Sequence, residues 1–126
     1  MPPASGLFRR VVHASDFSRA SGKAFATAVA LARAHRAALT VVHVLTPVVP
    51  VAGEGYVLPE TYEQIDRSAR AAAQKQLDRL VAKATAARLR AEGLLRTGVP
   101  LEEIVRVARA VEAAGADLLN TGIGWH

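Results

Sequence analysis

An α/β fold built on a parallel sheet is the class this sequence predicts, and three observations predict it. Strand-like and helix-like segments alternate along the chain, in the order strand-helix-strand-helix-strand-helix-strand. The run 39–45, Leu-Thr-Val-Val-His-Val-Leu, is apolar and β-branched, as suits a strand buried on both faces. The punctuation between segments is Ser, Asp, Gly and Pro, residues that cap helices or turn the chain. Alternation of this kind implies right-handed crossovers and helices on both faces of the sheet.

The first strand falls in residues 7–14 and ends in Val11, Val12, His13 and Ala14. Ser15-Asp16-Phe17-Ser18 breaks it, and Ser18 suits an N-cap because its hydroxyl can accept an orphan N–H of the first helical turn. Ala24, Phe25, Ala28, Leu31 and Ala32 then recur at helical spacing, which carries a helix to about His35. His35 near the end of that helix complements its dipole. The second strand is 39–45. Residues 46–59 hold three prolines and two glycines and read as a long loop. Residues 60–90 carry Ile65, Ala69, Ala73, Leu77, Leu80, Val81 and Ala84 on one stripe, so a long amphipathic helix is expected there, with Gly93 as its C′ stop. A short strand over 94–97 follows. Pro100 fits the first turn of a third helix, whose apolar positions are Leu101, Ile104, Val105, Val107, Ala108 and Val111 and whose end is near Gly115. A fourth strand begins in 116–120.

Composition narrows the function. The 126 residues make one domain, spanning 1–126, and 51% of them are hydrophobic, enough for a core. Disorder is excluded on that ground. There is no cysteine, hence no disulfide framework and no thiolate nucleophile or metal ligand. Neither a signal peptide nor a membrane-spanning run is read from the sequence, so the protein is expected to be cytoplasmic, without a membrane partner. Lys and Arg outnumber Asp and Glu by 16 to 11, giving +5. These charges are scattered, Arg9 and Arg10 being the sole adjacent Lys/Arg pair, and no aromatic residues are interleaved for base stacking. Nucleic acid is therefore not an expected partner.

His13 and His43 fall on neighbouring strands if the first two strands pair. They lack a third ligand at recognisable spacing, so buried neutral histidines are expected rather than a metal site. His13, Ser15 and Asp16 cannot form a triad, because consecutive side chains on a strand point to opposite faces. No catalytic constellation is found and no enzymatic activity is expected.

In open α/β sheets ligands bind beyond the carboxyl ends of the strands, where the strand order reverses. At those ends the sequence resembles the universal stress protein family. Val12-His13-Ala14-Ser15-Asp16-Phe17-Ser18 resembles the family's opening strand and turn, and Val41-Val42-His43-Val44 its second strand. Gly98-Val99-Pro100, followed by Glu102-Glu103-Ile104-Val105, resembles its third strand-helix junction, and Ala116-Asp117-Leu118-Leu119 the start of its fourth strand. The resemblance implies a flavodoxin-like, Rossmann-like parallel sheet with strand order 3-2-1-4, here without the family's last helix and fifth strand. It also implies a nucleotide-binding or regulatory module of the stress response, working without turnover. The alternative is an interaction protein of the same fold that binds no nucleotide.

By the same resemblance Ala14 and Ser15 line the base pocket, Asp16 meets ribose or adenine, Val44 offers its backbone to the adenine edge, and Gly98 and Gly122 approach phosphate. Asp16 reads equally as a loop residue that helps cap the first helix. The family's phosphate signature has a glycine, two residues, a second glycine, nine residues and then Gly-Ser or Gly-Thr. Gly122 matches the first glycine, Trp125 stands at the second, and the chain given ends at His126. That terminus fits a truncated or frameshifted copy and a naturally short paralogue equally. Weak or no ATP binding is expected, with AMP or adenosine losing less, and no metal. The family dimerises largely through its last strand. An uncovered fourth strand is a template for pairing, so a homo-oligomer is expected, a dimer through strand four or the Trp125 tail, besides an unknown protein partner.

Overall fold

The computed structural model of the protein describes residues 9–47, 58–113 and 118–121. Seven elements alternate as expected: β1 (Arg10–Ala14), α1 (Arg19–His35), β2 (Ala38–Leu45), α2 (Pro59–Ala86), β3 (Ala91–Thr97), α3 (Pro100–Ala113) and β4 (Leu118–Thr121). All strand pairs are parallel, and the order across the sheet is β3-β2-β1-β4. The chain moves outward from β1 to β3 and then crosses back to the far side of β1. The order therefore reverses between β1 and β4, where Ala14 pairs with Thr121.

Alternation along the central strands sorts the core into two layers. Val11, Leu39 and Val41 pack with Phe25, Ala28 and Ala32 of α1 and with Leu77 and Ala84 of α2. Val12 and Val42, with the half-buried Val44 and Leu94, pack with Val107 of α3. So α1 and α2 cover one face and α3 the other. Ser18 caps α1 as expected: its Oγ accepts the Ser21 N–H at 3.1 Å.

The boundary between α2 and β3 differs from the sequence reading. The helix starts at Pro59, with Leu58 as its N-cap, and ends at Ala86, not near residue 90. The strand begins at Ala91, so Gly93 lies within it. Arg88 takes the left-handed conformation (φ 67°) that a glycine was expected to supply. The Leu89 N–H then reaches back to the Ala84 carbonyl at 3.1 Å, and Leu89 is buried in the α1–α2 layer. Gly93 has a different task. A Cβ there would stand 2.9 Å from Leu77 Cγ and 3.1 Å from Val81 Cγ2, so its missing side chain lets α2 lie close on β3.

The expected fourth strand is confirmed over 118–121; residues 116 and 117 are outside the described set, as are most of the 46–59 loop, Gly122 and Trp125. Among the described residues β4 pairs with β1 alone, at the sheet edge. No helix among them is long and apolar enough to cross a membrane.

Candidate functional site

The carboxyl end of β1 runs into the turn Ser15-Asp16-Phe17-Ser18, which short polar side chains fold onto its own backbone. Asp16 Oδ1 accepts the Ser18 N–H at 2.9 Å and the Ser21 hydroxyl at 2.6 Å. The Asp16 N–H donates to Ser21 Oγ at 3.1 Å, and the Phe17 N–H to Ser15 Oγ at 3.0 Å. Such side-chain bonds offer the chain an alternative to continuing the strand. They hold Phe17 at φ 64°, in the left-handed region, a strained place for an aromatic residue. The conformation lays the Phe17 ring on His43 of β2, with centroids 4.1 Å apart and planes 26° from parallel. His43 Nδ1 lies 2.7 Å from the Ser15 carbonyl oxygen. A carbonyl only accepts, so Nδ1 carries the proton. The Ser15 N–H donates to the Val42 carbonyl at 2.8 Å, which ties the turn to β2.

The expected site residues divide between the faces of the sheet. Ala14, buried, follows Val12 on the α3 side, and Val44 lies on that side too. Ser15 is on the other side with His43, beside a cavity of about 220 Å³ between the start of α1 and α2, lined also by Arg79 and Lys83. Asp16 is exposed, and its carboxylate is turned onto Ser18 and Ser21 at the start of α1. Gly98 stands apart, at the end of the edge strand β3. Its N–H donates to the Leu45 carbonyl at 3.0 Å. Its φ of 149° is a glycine conformation, and a Cβ there would lie 3.0 Å from Glu103 Cγ. Glu103 is buried and bound by Arg96 Nε at 3.1 Å and Arg106 Nη1 at 2.8 Å. Gly122 lies outside the described residues.

His13 and His43 share the α1–α2 face, but His13 is fully buried and tilted against Phe25, with ring centroids 5.7 Å apart. Among the described residues no three His, Asp or Glu side chains are grouped to hold a metal ion. The sequence reading missed Ser21, Phe17 and His43 as partners in one turn. The signal for Ser21 was present: it stands three residues after the N-cap, where a polar side chain can bond back toward the cap. The Phe17–His43 stack had no local signal, since it joins the turn after β1 to a residue of β2.

The model of the universal stress protein family matches residues 7–122. Among solved structures, the universal stress protein UspA from Lactobacillus plantarum superposes with a TM-score of 0.74 at 19% identity, covering 92% of this chain and 77% of that one. A universal stress protein in complex with cAMP gives 0.65 at 23%, covering 90% and 72%. The universal stress protein from Archaeoglobus fulgidus in complex with dAMP gives 0.57 at 23%, covering 85% and 77%. At these identities the likeness is one of fold.

Proposed function

We propose, for a chain that belongs to the universal stress protein family, that the crevice at the carboxyl ends of β1 and β2 takes an adenine nucleotide of the AMP class. What supports this reading is placement: Ala14 and Asp16 stand at the carboxyl end of β1, and Val44 near that of β2, beside the point where the strand order reverses. Two relatives of the same fold have been solved with adenine monophosphates, cAMP and dAMP. Ser15 and the Phe17–His43 stack lie on the other, α1–α2 face at the same end of the sheet. Gly98 and Gly122 are the proposed places of close phosphate approach. The module works without turnover: its nucleotide state governs association, with a protein partner or with a second copy.

One observation favours the alternative, an interaction protein that binds no nucleotide. Asp16 Oδ1, the carboxylate oxygen that would meet ribose, already accepts the Ser18 N–H and the Ser21 hydroxyl. Calorimetric titration of the full chain with AMP, cAMP and ATP decides. The nucleotide reading expects AMP to bind at least as tightly as ATP, and Asp16→Asn, which keeps an oxygen for the cap, to weaken AMP about tenfold, as for loss of one charge-assisted hydrogen bond. No binding of any of the three at ~1 mM, an affinity limit of about −4 kcal/mol, establishes the alternative.

A further inference from the structure

At the opposite end of the sheet, where the strands begin, the two helices of one face finish side by side. Both finish in the same way. In α1 the Ala37 N–H returns to the Ala32 carbonyl at 2.8 Å and the Arg36 N–H to Arg33 at 3.3 Å. In α2 the Leu89 N–H returns to Ala84 at 3.1 Å and the Arg88 N–H to Thr85 at 2.9 Å. Each is a Schellman ending, whose left-handed residue is usually glycine. Here arginine occupies both places, with φ 54° at Arg36 and 67° at Arg88. The next residues, Ala37 and Leu89, are buried in the core, so both turns are anchored. A cavity of about 360 Å³ opens between them, lined by Arg33, Arg36, Arg88 and Arg90.

Helix ends attract cations, and that explains part of this. Each carboxyl terminus carries roughly half a negative charge, so two helices call for about one cation between them. Four guanidinium groups leave roughly three positive charges over. Arg90 lies beyond both helices, its carbonyl accepting the Leu39 N–H at 2.8 Å. None of the four arginines forms an ion pair with a carboxylate among the described residues. Glu92 lines the adjoining cavity with Arg10 and Arg90 and accepts a hydrogen bond from Thr40 Oγ1 at 3.2 Å. Guanidinium groups present paired N–H donors that match phosphoryl oxygens. A concave site with four of them and no acid on its lining selects for dense negative charge.

We propose that this cavity is an anion site for a compact ligand carrying two or more phosphoryl groups in series, of the oligophosphate class. It is distinct from the nucleotide crevice at the other end of the strands, and does not depend on it. The site joins two arms far apart in the sequence, and the left-handed turns fix where the Arg36 and Arg88 side chains leave the backbone.

Inorganic tripolyphosphate, titrated into the full chain by calorimetry at low salt, is the test. One site is expected. Arg36→Gly with Arg88→Gly should weaken it roughly a hundredfold, as for two charge-assisted contacts, while the melting temperature of the unliganded protein rises, because glycine suits both turns better than arginine. Arg33→Gln with Arg90→Gln, which leaves the turns untouched, should give the same loss of binding. Arg67→Gln with Arg109→Gln removes as much charge elsewhere and should leave binding unchanged. Absence of binding by the unmodified chain overturns the proposal. So does an equal loss in the Arg67/Arg109 pair, or displacement of tripolyphosphate by AMP. Tighter, competing binding of duplex DNA would overturn it too, and make the surface a nucleic-acid contact instead.

Discussion

Replacing Gly93 by alanine tests how α2 lies on β3. The new methyl would stand 2.9 Å from Leu77 Cγ, 3.1 Å from Leu77 Cδ2 and 3.1 Å from Val81 Cγ2. Carbon atoms attract best at about 3.5–4.0 Å, so three contacts are too short at once and the helix or its side chains must move. Overpacking of this kind costs about 1–3 kcal/mol. Alanine returns about 0.4–1 kcal/mol by restricting the unfolded chain. A net loss of about 1–2 kcal/mol is expected. Leu77 is fully buried, and Leu77→Ala by itself should cost about 3 kcal/mol. In the double variant the methyl introduced at position 93 occupies space that the leucine vacated, so the combined loss should fall short of the sum by about 1–2 kcal/mol. Urea unfolding followed by far-ultraviolet circular dichroism measures all three. With a slope of about 2 kcal/mol per molar, Gly93→Ala shifts the midpoint by roughly 0.5–1 M. A neutral or stabilising Gly93→Ala, or strict additivity with Leu77→Ala, refutes the reasoning. Additivity is what a glycine that merely ended the helix would give.

Ser18→Ala removes the N-cap of α1 and should lower stability by about 1 kcal/mol, read from the same unfolding curves. Glu103→Gln leaves Arg96 and Arg106 facing a neutral amide. Both arginines are about half exposed or more, so a loss of about 1 kcal/mol is expected, a value that a double-mutant cycle with Arg106→Gln measures. Gly98→Ala forces a side chain into a glycine conformation against Glu103 and should cost about 1–3 kcal/mol, less when combined with Glu103→Gly, as thermal unfolding can show. The outer edge of β4, unpaired among the described residues, should support self-association, so light scattering over a dilution series should give a mass above the monomer. A monomer mass up to the solubility limit contradicts that expectation.

Element types and their order were legible in the sequence because they depend on local patterns. Val41, Val42 and Val44 make a β-branched run, Ser18 carries a cap hydroxyl, and Phe25, Ala28 and Ala32 recur at helical spacing. The resemblance at the strand ends led to the strand order and to Ala14, Ser15 and Asp16 as one segment. The end of α2 was not legible. Its terminating residue is Arg88, and an arginine gives no sign of a left-handed turn, whereas Gly93 gives a sign that is misleading. Burial of Leu89 sets that turn, and burial belongs to the whole fold.

The side-chain partners of the candidate site divide along the same line. Asp16, Ser18 and Ser21 lie within five residues, so their cap network follows from local chain geometry. The stack of Phe17 on His43 needed the parallel register of β1 and β2. Charge shows the contrast most fully. By sequence alone the protein is basic, and its arginines are spread through helical segments like those of any solvated surface. The fold ends α1 and α2 at one end of the sheet, where the strands begin, because parallel strands on a common face return their helices there. Arg33 and Arg36 thereby meet Arg88 and Arg90 around one cavity, although residues 37–87 separate the two pairs. Composition determined how much positive charge the protein carries, and only the tertiary structure decided that four of those charges would face one another.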